Sequence, residues 1–171
     1  MENVILVDLY DNEVGVLEKL TAHHEGHLHR AFSIFIFNSK KELLIHQRNP
    51  LKYHSGGLWT NTCCGHPRPN EKTIDAAKRR LMEEMGFVCD LKKEFDFTYF
   101  VKFNNGLSEN EFDHVFTGVF DGIPRPNPAE VSDYKWINWD ILNNDVYLNP
   151  EKYTYWFKEC LQKFKQLNYS Y

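Results

Sequence analysis

Between residues 74 and 85 the apolar side chains Ile74, Ala77, Leu81 and Met85 recur at helical spacing, and Gly86 stands where such a helix would stop. The flanking segments carry the other periodicity, so this one helix must be set among strands. Ahead of it, residues 4–8 read as a short strand closed by the polar turn Asp11-Asn12-Glu13. Residues 31–37 and 43–46 are rich in β-branched and aromatic side chains, and Asn38-Ser39-Lys40-Lys41 reads as a hairpin turn between them. Behind it, residues 95–103 and 109–120 alternate around Asn104-Asn105-Gly106, a second hairpin. Pro124, Pro126 and Pro128 mark an ordered connector, and residues 134–137 read as a short strand. Asn149 as N-cap and Pro150 at the first helical position open a last helix, whose Tyr153, Trp156, Phe157, Cys160, Leu161 and Phe164 make one apolar stripe. Two or three helices interleaved with strands in 171 residues predict a single α/β or α+β domain.

Composition narrows the class of function. Apolar residues at 42% allow a packed core, and 15% aromatic residues predict a dense core or a ring-lined pocket. A net charge of −4 argues against a general nucleic-acid binder, which needs a basic surplus. No apolar run approaches the ~20 residues of a membrane span, and Met1-Glu2-Asn3 opens no signal peptide. The expectation is a cytoplasmic chain, monomeric by default, with no nucleic-acid or membrane partner. Cys63, Cys64, Cys89 and Cys160 form no CxxC pair, and adjacent cysteines bridge poorly, so reduced thiols are expected. His23, His24, His27 and His29 fall within seven positions and form a candidate metal segment. Residues 49–70 are turn-rich, and a long loop in a compact domain is usually functional.

Two constellations carry chemistry. Gly65, Glu71, Arg79, Glu83, Glu84 and Gly86 keep the spacing of the Nudix box, a Gly-rich loop running into a carboxylate-bearing helix. Arg79 with Glu83 and Arg80 with Glu84 are i,i+4 pairs. The two glutamates nevertheless sit at the helix C-terminus, where the macrodipole disfavours them unless a divalent cation offsets the charge. A solvent-exposed Arg/Glu ladder is the plainer alternative. Arg80 stands where the hydrolase form of the box has a glutamate, which suits an anionic ligand. In Glu109-Asn110-Glu111, residues two apart on a strand point one way, and like charges side by side call for a cation. His66, by spacing alone, is also readable as an ordinary loop histidine.

The stretch Trp59-Thr60-Asn61-Thr62-Cys63-Cys64-Gly65-His66-Pro67, with the altered box behind it, resembles the type 1 isopentenyl-diphosphate isomerases, a branch of the Nudix superfamily. Leu17-Glu18-Lys19, Leu28-His29-Arg30-Ala31-Phe32, Glu109-Asn110-Glu111 and Tyr155-Trp156 match in order and spacing, so the likeness spans about residues 17–156. It implies a single Nudix-type domain over residues 1–171, a mixed β-sheet sandwiched between helices. The core would cover about residues 28–140, with an N-terminal arm and a C-terminal helix completing the active site.

The implied reaction interconverts isopentenyl and dimethylallyl diphosphate through a tertiary carbocation. Cys64 and Glu111 would serve as the proton pair, Tyr99 would hydrogen-bond near the acid, and Trp156 would face the cation. Lys19, Arg48, Lys52 and Arg80 would hold the diphosphate. One Mn²⁺, Zn²⁺ or Mg²⁺ would sit among His23, His29, His66, Glu109 and Glu111, and a second Mg²⁺ would join the diphosphate and Glu84. Arg and Lys neighbours are expected to depress the Cys64 pKa. Glu83 is left as a helix-face partner of Arg79, and His24, His27, His46, His54 and His114 as structural or surface residues. The loop Lys52-Tyr53-His54-Ser55-Gly56-Gly57-Leu58-Trp59 lacks the Trp-Pro step of some members. A Nudix hydrolase of nucleoside diphosphate derivatives, and a non-catalytic metal- or phosphate-binding module, remain the competing readings.

Overall fold

The computed structural model describes residues 2–168. Its organising element is β3 (His29–Phe37), a run of apolar residues buried on both faces. Strands covered on both sides read as continuous apolar runs, and this one does. Phe32, Ile34 and Ile36 point one way, onto α2 (Thr73–Met85) through Ala76, Ala77, Leu81 and Met85. Phe35 and Phe37 point the other way, onto Trp139 and Leu142 of α3 (Trp139–Leu148) and Phe157, Leu161 and Phe164 of α4 (Tyr155–Gln166). The alternation of one strand therefore creates two cores, and the sheet lies between helices as expected.

Nine strands join in one mixed sheet among the described residues. β3 runs parallel to β8 (Ser108–Val119) over nine pairs, from His29↔Glu111 to Phe37↔Val119. It runs antiparallel to β1 (Asn3–Val7) and to β6 (Cys63–Gly65). β7 (Leu91–Lys102) folds back on β8 as the expected hairpin, in the register Tyr99↔Glu111. β4 (Glu42–Arg48) pairs with β9 (Val131–Asn138) and β5 (Trp59–Thr60).

The predicted hairpin across Asn38 to Lys41 differs from the structure in an instructive way. The turn forms, with the Lys41 N–H donating to the Asn38 carbonyl at 2.9 Å, but β3 and β4 pair only at Phe37↔Leu43. Thr62 drives them apart. Its Oγ1 accepts from the Ile36 N–H at 2.9 Å and donates to the Leu44 carbonyl at 2.6 Å, so one hydroxyl replaces the ladder. Asn61 adds bonds to the Ile34 and Cys63 carbonyls. The gap so opened admits β6, which carries Cys64 against Ser33.

β5 and β6 lie in the stretch expected as a loop, and three further elements have no counterpart in the sequence reading. β2 (Glu13–Glu18) is an edge strand whose Val14 and Val16 stay exposed, so no burial pattern marks it. α1 (Lys19–Glu25) has seven residues, too few for a period to show, and is defined by its ends. The Glu18 side chain accepts from the Thr21 N–H at 2.8 Å, and Gly26 closes the helix at φ 72°. α3 buries only Trp139 and Leu142.

The expected start of the last helix is also displaced. Asn149 and Pro150 open a single 3₁₀ turn (Pro150–Lys152), and Tyr153 lies extended and buried. α4 begins after Thr154, whose N–H donates to the Trp59 carbonyl at 2.9 Å. That bond ties the chain to β5 before the helix can form. Within α4 the expected stripe of Trp156, Phe157, Cys160, Leu161 and Phe164 is buried. The proline connector is anchored by N–H bonds from Arg125 to the Met85 carbonyl and from Asn127 to the Glu84 carbonyl. No helix among the described residues is long and apolar enough to cross a membrane.

Candidate active site

A cavity of about 260 Å³ opens beside the gap that Thr62 creates, and residues from both ends of the chain line it. At its inner end Glu109 and Glu111 project from one face of β8, and the ladder puts His29 of β3 directly beside Glu111. α1 adds His23, and the turn after β6 adds His66. Ligand atoms of these five buried side chains all lie within 4.8 Å of one another. His66 Nε2 is 2.8 Å from Glu111 Oε1, His23 Nε2 is 3.1 Å from Glu109 Oε2, and the Nε2 atoms of His29 and His66 are 3.3 Å apart.

The group fits a divalent cation on its chemistry. His23 donates through Nδ1 to the Lys19 carbonyl at 2.6 Å, and His29 likewise to the His27 carbonyl at 2.8 Å. A carbonyl only accepts, so both rings carry a proton on Nδ1 and point Nε2 inward. Burial pushes His66 down to about 4 although Glu111 lies against it, which leaves a neutral imidazole. Burial works against the Glu111 carboxylate, but bonds with His29 and His66 hold its pKa well below the usual range. His23 Nε2 and Glu109 Oε2 are buried without a hydrogen-bond partner. Three imidazoles converging on two carboxylates form a hard-to-borderline ligand set.

Cys64, Tyr99 and Trp156 line the same cavity. Tyr99, cross-strand from Glu111, donates its hydroxyl to Glu111 Oε2 at 2.5 Å. Burial and the neighbouring Glu111 push the phenol well up, so it stays a donor. Burial likewise pushes the Cys64 thiol up to about 12. Only Arg48 opposes that shift appreciably, and Glu84, Glu111 and Asp113 reinforce it. This corrects the expectation of a depressed thiol: burial outweighs the Arg48 charge, and the carboxylates add to it. Trp156 is packed in the core and also lines the cavity. Its indole N–H donates to Thr60 Oγ1 at 3.0 Å, and the Arg48 guanidinium sits 5.1 Å from its ring.

The lining is also charged. Lys19, Arg48, Lys52 and Arg80 all belong to it, so the structure brings the four expected cations together. Three of them face carboxylates. Lys19 pairs with Glu2 at 3.1 Å, Lys52 pairs closely with Glu130, and Arg80 pairs closely with buried Glu84 and with Glu83 at 2.7 Å. Burial works against the Arg80 charge, but Glu84 beside it raises the pKa above the ordinary arginine value. Arg79 instead braces the loop, with Nε 2.7 Å from Glu71, so the box holds both a ladder and a site. Glu83 bonds to Arg79 as well as Arg80, which keeps it on the helix face.

Sequence reasoning missed Glu2, Tyr53, His54 and Glu130, all of which line the cavity. His54 was expected to be structural or surface. It is buried, with Nε2 2.7 Å from Glu109 Oε1. No spacing could have flagged it, because its loop has no period. The other four unassigned histidines fit their plain readings. His46 is buried with Nδ1 donating to the Thr62 carbonyl, His114 packs by Asp11, His27 pairs with Glu25, and His24 is exposed. The four cysteines are free.

The profile of the NUDIX domain matches residues 27–160. Isopentenyl-diphosphate Delta-isomerase 2 of Aromatoleum aromaticum is 55% identical over 162 residues, covering 95% of this chain and 86% of that protein. Isopentenyl-diphosphate Delta-isomerases of Burkholderia multivorans and Pectobacterium atrosepticum are 52% and 49% identical. They cover 95% and 92% of this chain and 92% and 88% of their own lengths. Among solved structures, DR0079 from Deinococcus radiodurans superposes with a TM-score of 0.73 at 21% identity, over 86% of this chain and 90% of that one. The MutT protein of Methanosarcina mazei reaches 0.68 at 17%, over 84% and 96%. At those identities the structures share the fold alone.

Proposed function

Because this chain belongs to the isopentenyl-diphosphate Delta-isomerase family, built on a NUDIX domain, and interconverts isopentenyl and dimethylallyl diphosphate, we propose that Cys64 and Glu111 carry the reaction from opposite sides of one cavity. Moving the double bond adds a proton at one carbon and removes one from another. An alkene is a feeble base with no activating carbonyl, so a placed acid and a placed base are both required. The observation that carries the reading is that Cys64 and Glu111, brought in by different strands, line the same cavity with the Tyr99 hydroxyl bonded to Glu111.

The other roles follow from position. A tertiary carbocation is quenched by water, so the pocket must exclude it. The Trp156 ring face can stabilise a desolvated cation by about 2 kcal/mol. Lys19, Arg48, Lys52 and Arg80 would take the diphosphate, with Lys19, Lys52 and Arg80 exchanging their present carboxylate partners for its oxygens. His23, His29, His66, Glu109 and Glu111 would hold one Mn²⁺, Zn²⁺ or Mg²⁺, which compensates the paired carboxylates and makes protonated Glu111 more acidic. Glu84 would hold a Mg²⁺ that arrives with the diphosphate. The working unit is a core of about residues 28–140, completed by the N-terminal arm that carries Lys19 and His23 and by the helix that carries Trp156. It would act as a cytoplasmic monomer on a small diphosphate, without nucleic-acid or membrane partners.

The test is proton NMR with isopentenyl diphosphate in deuterated buffer and added divalent metal. Dimethylallyl diphosphate carrying deuterium is the expected product. Absence of both product and label would overturn the reading, and released phosphate would return the chain to the hydrolases.

A further inference from the structure

His54 sits on the loop between β4 and β5, outside the ligand group. Its Nε2 is buried and lies 2.7 Å from Oε1 of Glu109, an ion-pair contact off the line of a hydrogen bond. The second oxygen of that carboxylate, Oε2, faces His23 at 3.1 Å and His29 at 4.0 Å, and has no hydrogen-bond partner. One oxygen therefore lies against a ring from outside the group, and the other is turned toward the histidines. That outside ring is itself clamped. Phe103 lies parallel to it at 5.0 Å and 11°, while Tyr53 and Trp156 meet it edge-on at 4.5 Å and 5.7 Å. A ring packed on three sides cannot follow a rotating carboxylate, so it fixes one. A flexible partner would not.

We propose that His54 is a positioning residue, setting the rotation of the Glu109 carboxylate so that Oε2 is presented to the cation and bracing Trp156 with the same ring. This rests on the metal reading above and extends it outward by one shell. Outer partners of ligating carboxylates typically contribute about ten- to a hundredfold in metal affinity. The ring also couples the metal end of the cavity to its aromatic wall, since the face that meets Trp156 belongs to the side chain that meets Glu109.

The experiment titrates the whole protein with Mn²⁺ and counts the free ion by EPR. His54→Phe keeps the ring and its stacking but has no nitrogen, and should raise the Mn²⁺ dissociation constant about ten- to a hundredfold. His54→Gln places an amide nitrogen near the lost Nε2 and should return it to within about threefold of the parent, a rescue expected of an outer-shell hydrogen bond. His54→Asn reaches only the Nδ1 position and should lose as much as His54→Phe, so the test does not hang on one variant folding. In a Glu109→Gln background, His54→Phe should cost little more, because the effect passes through that carboxylate. Unchanged affinity in His54→Phe or His54→Asn would overturn the proposal, as would equal loss in His54→Gln. A parent chain that bound no Mn²⁺ would instead sink the metal reading itself, a separate and recognisable failure.

Discussion

Glu111 meets three side chains of the proposed site at once: the Tyr99 hydroxyl at 2.5 Å, His66 at 2.8 Å and His29 at 3.7 Å. Replacing it with Gln keeps the shape and removes the charge. Glu111→Gln and Cys64→Ala should each lower kcat by at least about 10²–10⁴-fold with the circular dichroism spectrum unchanged, and near-parental turnover in either would remove that residue from the chemistry. The Tyr99–Glu111 pair was legible because the Asn-Asn-Gly turn sets the register of its hairpin. His54 was not, because its loop is shaped by packing instead of by any repeat. A second test at this scale concerns His46, which is buried and neutral. Burial lowers its pKa from 6.5 to about 3, with the Arg48 charge adding to the effect. The unfolded chain then binds a proton that the folded one refuses, so stability falls as pH drops from about 6.5 toward 3, by up to about 1.4 kcal/mol per pH unit. Urea unfolding between pH 4 and 6 should show a shallower acid slope for His46→Gln, and an unchanged slope would contradict the assignment.

Among the elements, α2 and the β7–β8 hairpin declared themselves in the sequence because each repeats its period over many residues and one face is buried. α1, β2 and α3 did not, being short or mostly exposed, yet α1 delivers His23. Its position is fixed by a cap at each end, so what matters at this scale is termini more than periodicity. The splaying of β3 from β4 was likewise hidden, since nothing in a hydrophobic pattern says that a threonine will stand in for a ladder. Thr62→Val is the corresponding test. It conserves shape and leaves the Ile36 N–H and the Leu44 carbonyl unpaired in the core. At about 1–3 kcal/mol per orphaned group, urea unfolding should show a loss of about 2–5 kcal/mol. A loss below about 0.5 kcal/mol would mean that the strands separate for another reason.

For the molecule as a whole, two carboxylates and three imidazoles are gathered in a buried cluster that only the folded chain assembles. A cation bound there stabilises the native state by mass action, about 2.7 kcal/mol at a hundred times its dissociation constant. Stripping the protein with a chelator should lower its melting temperature by about 5–11 °C at this size. His29→Asn should show little response, and a parent that melts identically with and without chelator would remove the cluster from the stability account. The attachment of α4 has a further consequence. Trp156 is bonded to Thr60, Thr60 shares a hydrogen bond with Thr154 at 2.9 Å, and the Thr154 N–H is bonded to Trp59. Strand and helix are thus fastened at two points, the indole nitrogen and the residue ahead of the helix, so the ring that lines the cavity can shift only if β5 shifts with it.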